Sequence, residues 1–118
     1  MSSASPRSER GAVTAELALV LPGVVLLLVA LLTAASAALT QVRVADAARA
    51  GARAAALGES HREVAGVARE LAGDGAAVQV SEVGGYVVVE VSHDLTGPLR
   101  AVGLTARSSA RALPEPGE

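Results

Sequence analysis

An α+β chain built on one long N-terminal helix is the fold the sequence predicts, and three observations predict it. Between Glu16 and Arg43 no residue is charged, a run long enough at about 1.5 Å per residue to cross a hydrocarbon layer of about 30 Å. From Gln41 to Leu57 strong helix formers continue with no breaker but Gly51. Farther on, AVQVSEV and YVVVEVS flank Gly84-Gly85, two valine-rich runs around a two-residue glycine turn, which is a β-hairpin signal. The expectation is a membrane-spanning helix continuing into a small domain with a short helix and an antiparallel sheet of two to three strands.

Taken in order, Met1 to Arg10 is polar, with Ser2, Ser3, Ser5, Pro6 and Ser8 around Arg7, Glu9 and Arg10, and reads as a disordered leader. The long helix then occupies 12–57, its membrane span about 17–40, and Gly58 offers a C-terminal cap. Past the span, Val44, Ala47, Ala48, Gly51, Ala54 and Ala55 form one stripe at helical spacing, with Arg43, Asp46, Arg49 and Arg53 largely outside it. Side chains this small let another element approach the backbone closely, so Ala47, Ala48 and Gly51 are the expected packing positions.

The remaining elements make an α+β domain at 58–113. Ser60 and Glu63 have the spacing of a capping box and open a short helix with Val64, Val67, Ala68 and Leu71 inward, closed by Gly73 or Gly75. Val87, Val89 and Val91 share one face of the second hairpin strand. Gly97-Pro98 breaks that strand, and the alternation from Leu104 to Leu113 offers a third. Residues 114–118 carry two prolines and read as a flexible tail.

Composition narrows the function classes. With 118 residues and a sizeable share of them in the apolar run, the soluble part can build only a thin core. Tyr86 is the sole aromatic residue, and no basic patch interleaved with stacking rings exists, so nucleic acid is set aside as a partner. The absence of cysteine excludes disulfides, thiolate metal sites, a lipid-modified cysteine and a cysteine nucleophile. His61, His93 and Asp94 are the only groups that suggest catalysis; His61 falls inside the capping box, and His93-Asp94 ends a strand where turn formation is the ordinary use. No catalytic, cofactor-binding or metal-binding residue is expected, and a domain so small without staples is expected to assemble with other subunits.

Glu16 carries the functional argument, because a carboxylate at membrane depth costs up to about 3 kcal/mol on insertion scales and needs compensation. The Arg flanks, Arg7 and Arg10 before the span and Arg43, Arg49 and Arg53 after it, leave the positive-inside count ambiguous. The short leader favours a cytoplasmic N-terminus and an extracytoplasmic domain.

GAVTAELALVLPG, followed later by AARAGAR, resembles the TadE-like minor pilins and pseudopilins of tight-adherence (Flp) type IV pilus assembly systems. The resemblance covers roughly Arg10 to Leu57. It implies that residues 1–11 are a leader cut by prepilin peptidase between Gly11 and Ala12, that the new amine at Ala12 pairs with Glu16 during assembly, and that Pro22 kinks the helix. Other pilin or pseudopilin subunits, the pilus assembly platform and the membrane are the implied partners, with a place in the fibre. Cleavage would remove two arginines and one glutamate, moving the formal charge from -2 to -3. The new amine would be cationic near neutral pH, with a reference pKa of about 7.7 to 8.0. At an effective dielectric of 20, unit charges 4 Å apart attract by about 4 kcal/mol, comparable to the burial cost of the carboxylate. One departure is Leu17, where many TadE-like sequences carry an aromatic residue.

Two other readings use the same residues. In one, Arg7 and Arg10 begin a secretory signal peptide cut after Ala35-Ser36-Ala37, which releases a small secreted protein. Glu16 and Pro22 interrupt the front of its apolar core, and the cut would sever the long helix near its middle. In the other, the chain is an unrelated single-pass membrane protein. For Glu16 itself, the simpler role is an anion near a helix N-terminus, where the macrodipole favours it.

Overall fold

The computed structural model describes residues 6–114; the first five residues of the expected leader, and 115–118 of the expected tail, lie outside them. Helix α1 runs from Pro6 to Ala56 without interruption. It starts six residues before the expected boundary at Ala12, so the part of the leader from Pro6 onward is helical rather than irregular. Proline is tolerated in a first turn, where its missing N–H has no partner to lose, and Glu9 sits where the dipole favours an anion. Adding a turn to an existing helix also avoids the cost of a new nucleus.

The chain divides into two units, the first ending at Ala34 and the second beginning at Ala35. In the first, every residue from 9 to 32 is exposed, leucines and valines included. This is the helix whose length and composition suit a membrane span. The second unit begins inside the run that hydropathy assigns to the span. There Ala37 packs against the core, and the hydroxyls of Ser36 and Thr96 meet at 3.0 Å.

At its far end α1 closes in a Schellman motif, which only a residue free to take positive φ completes without strain. Gly58, at φ 86°, donates its N–H to the Ala55 carbonyl at 3.0 Å, and Glu59 donates to the Ala54 carbonyl at 3.2 Å. Two residues later α2 (His61–Ala72) begins, with the Ser60 hydroxyl accepting the Glu63 amide at 3.2 Å. Val64, Ala68 and Ala72 are its buried face, and Gly73 ends it.

Strands β1 (Ala77–Val83) and β2 (Tyr86–Asp94) form the expected hairpin. Gly84 and Gly85 both hold positive φ, 59° and 86°, as the turn whose twist matches the flanking strands requires. After the short helix α3 (Pro98–Ala101), β3 (Thr105–Ala112) pairs antiparallel with β2, giving the sheet order β1-β2-β3. The third strand offered by the alternation is therefore present.

One face of this sheet makes the core. Val87, Val89 and Val91 are buried there with Val44, Ala47, Ala48, Ala54 and Ala55 of α1 and Val64 and Ala68 of α2. The largest fully buried side chains are valines, each contributing roughly 1.5 to 3 kcal/mol by burial, so stability depends on close approach rather than on large rings. Gly51 makes that approach possible: a Cβ there would stand 2.9 Å from Val89 Cγ1. The opposite face is solvated, and its Glu90–Arg107 pair at 3.6 Å is an exposed one worth at most about 1 kcal/mol.

Candidate functional site

The sequence-derived site lies along α1 within the first unit. Gly11, Ala12, Glu16 and Pro22 are all on this one helix and all exposed. Ala12 and Glu16 are one turn apart, so their side chains occupy the same face, with Cβ atoms about 5 to 6 Å apart. Glu16 makes no ion pair among the described residues.

Gly11 has no structural reason to be glycine. Its φ is not positive, and nothing lies within 4 Å of where a Cβ would be, while glycine inside a helix costs about 1 kcal/mol relative to alanine. The contrast with Gly51, whose missing side chain the core requires, is direct.

Pro22 is inside α1. Lacking an N–H, it leaves the Ala18 carbonyl without its helical donor. Gly23 follows, again with nothing within 4 Å of its missing side chain. A proline and a glycine together weaken the helix locally and lend themselves to a close helix-helix contact.

The packing residues of the stripe are brought together in the second unit. Ala47 and Ala48 are fully buried, and Gly51 faces Val89 and Ala68. The element that approaches them is the chain's own domain. Sequence reasoning missed the polar ties on the same helix: Ser36 with Thr96, and Gln41 donating its amide to the Arg107 carbonyl at 3.1 Å. Neither has a local sequence signal, since the partners are 60 and 66 residues apart.

No catalytic arrangement appears among the described residues. His61 pairs with Glu82 at 3.2 Å on the surface. His93 sits between two backbone carbonyls, Asp94 at 2.7 Å and Asp74 at 3.0 Å, tying the turn after α2 to the end of β2. No cluster of metal-ligating side chains occurs among the described residues. A shallow groove of about 380 Å³ between α1 and β3 is lined by Arg49, Arg53 and Arg111 over alanines and Leu113, with no acid or nucleophile.

Fold and site together define a class: a small α+β domain carried by an N-terminal helix long and apolar enough to cross a membrane, with a glycine and a lone glutamate at its front. Within that class, the family described as TadE-like protein has a sequence model that matches residues 11–53. Over that stretch of α1, which holds the residues from Gly11 to Pro22 and from Ala47 to Arg53, the chain is similar to TadE-like proteins. No curated protein and no solved structure matches the chain.

Proposed function

We propose that this chain is a structural minor pilin or pseudopilin of a Tad/Flp-type pilus, cut by prepilin peptidase between Gly11 and Ala12 and assembled through α1. The observation that carries the reading is where the family match begins, at residue 11, on a glycine for which the fold itself has no use. In the uncut chain the Gly11–Ala12 bond lies within α1, so the peptidase must unwind the first turns to reach it. Glycine lowers the cost of that unwinding and puts no side chain in the cleft.

Cleavage creates the partner that Glu16 lacks. The Ala12 amine, cationic near neutral pH, would stand one helical turn from the carboxylate in the same chain, or beside it from a neighbouring subunit. Pairing offsets the cost of holding a carboxylate in the membrane zone and rewards one register between stacked helices. A hydroxyl side chain of a neighbouring helix lodged at Pro22-Gly23 would supply the donor that Ala18 lacks, so a kink there fits an assembled bundle.

In this reading the N-terminus is cytoplasmic before cleavage and the α+β domain extracytoplasmic. The partners are the peptidase, other pilin subunits and the assembly platform, and the role is structural rather than enzymatic. Support against a secretory cut after Ala37 comes from Ser36 and Ala37, which the domain uses for the Thr96 contact and for packing. Glu16→Ala tests the mechanism: leader removal persists, incorporation into pili is lost, and normal piliation would remove the assembly role of Glu16.

A further inference from the structure

We propose that the free edge of β3 is a docking site for an extended, acidic segment of a partner protein, which adds to the sheet as a further strand beside Arg49, Arg53 and Arg111. The inference stands on the α+β domain alone and does not depend on a cut after Gly11.

The first argument is the edge itself. β3 is an outer strand of the sheet, and the Arg107 carbonyl is turned away from β2, since it accepts from Gln41 of α1 at 3.1 Å. Backbone groups of an antiparallel ladder alternate in direction along the strand, so Ser109 and Arg111 also turn their N–H and C=O groups outward. Those groups have no partner among the described residues. An unpaired edge is a template for another strand.

The second argument is room. At Gln41 helix α1 touches β3, whereas farther on the two are separated by the groove of about 380 Å³ between Arg49 to Ala56 on one side and Ala110 to Leu113 on the other. Both walls belong to the second unit. The volume falls within the range of about 300 to 1,000 Å³ usual for ligand clefts. Its alanines let a backbone come close, and the exposed Leu113 offers an apolar contact at one end.

The third argument is charge. Arg49 and Arg53 are exposed and stand one turn apart on one helix face, a pairing of like charges that weakens a helix unless an anion relieves it. The Asp46 partner of Arg49 is 3.8 Å away within its own turn, and Arg53 and Arg111 make no ion pair among the described residues. Arginines on the strand alone would merely guard its edge. Two more on the facing helix add donors suited to carboxylates.

The other edge of the sheet differs in sign. By the same alternation β1 turns Val78, Val80 and Glu82 outward, and α2 packs against that strand. Its one charge is an acid, Glu82, held by His61 at 3.2 Å. The basic groove lies at the β3 edge, and alternating acidic and apolar residues match it, since successive side chains of an added strand would face opposite sides of the sheet.

The test is an amide chemical-shift titration of the isotopically labelled full-length protein in phosphatidylcholine nanodiscs, with a seven-residue peptide of alternating glutamate and valine as the probe. We expect saturable shifts at the Ser109 and Arg111 amides and none at Val80 on the opposite edge. Glutamine in place of glutamate in the peptide should weaken binding at least tenfold. So should the double change Arg53→Gln and Arg111→Gln, in a protein whose melting matches the parent. Methylating one alternate set of peptide amides should abolish the shifts, and methylating the other set should spare them. Absence of shifts at millimolar peptide, equal binding of the glutamine peptide, or indifference to both methylated sets would each overturn the inference. Shifts that appear only after Glu115→Gln and Glu118→Gln would overturn it too, since the chain's own tail would then be the occupant.

Discussion

Gly51 and Val89 meet where a side chain on the glycine would have no room: a Cβ would stand 2.9 Å from Val89 Cγ1 and 3.4 Å from Cγ2. Val89 is fully buried and stiff at χ1, and the Ala68 methyl stands 3.5 Å away on a second side. The distance between α1 and the sheet is therefore set by a missing side chain. Gly51→Val should lower domain stability by about 1 to 3 kcal/mol through overpacking, seen as a reduced melting temperature by circular dichroism. Gly51→Ala should cost less, because the gain in helix propensity, about 1 kcal/mol, offsets part of the strain.

The start of α2 depends on one hydroxyl. Ser60→Ala removes the acceptor of the Glu63 amide and should cost about 0.5 to 2 kcal/mol, whereas Ser60→Asp should restore most of it. Thermal or denaturant unfolding of the two variants against the parent checks this. Equal melting of all three would mean that the cap is not used in solution.

Gly11 should separate folding from processing. With nothing within 4 Å of its missing side chain, Gly11→Leu should leave the melting of the α+β domain unchanged and favour the surrounding helix by up to about 1 kcal/mol. The same change should block leader removal, seen as retention of the full-length band on expression beside the peptidase. Normal cleavage of this variant would contradict the role given to Gly11.

Much of the domain was legible because its signals are local. Paired glycines at 84 and 85 with positive φ, a serine three residues before a glutamate, and a glycine after a run of alanines each specify a turn or a cap by backbone chemistry alone. The alternation in β2 likewise identified the buried valines. Where the domain first touches the apolar run was not legible, because hydropathy cannot distinguish Ser36 and Ala37 facing lipid from the same residues facing a domain. The contact that Ser36 makes is with Thr96, 60 residues away. The helical start at Pro6 was missed for a related reason: serines and arginines are poor evidence for a helix until a long one lies next to them. In the site, Gly11 and Glu16 were legible as a spacing, but that Gly11 has no structural use became visible only with the fold in hand.

The mature N-terminus tests the central claim most directly. Intact mass and N-terminal sequencing of the protein extracted from membranes of a cell that makes the peptidase should give a chain beginning at Ala12 and still carrying the apolar helix. A chain beginning at Ala38, or one that keeps residues 1–11, would contradict the account.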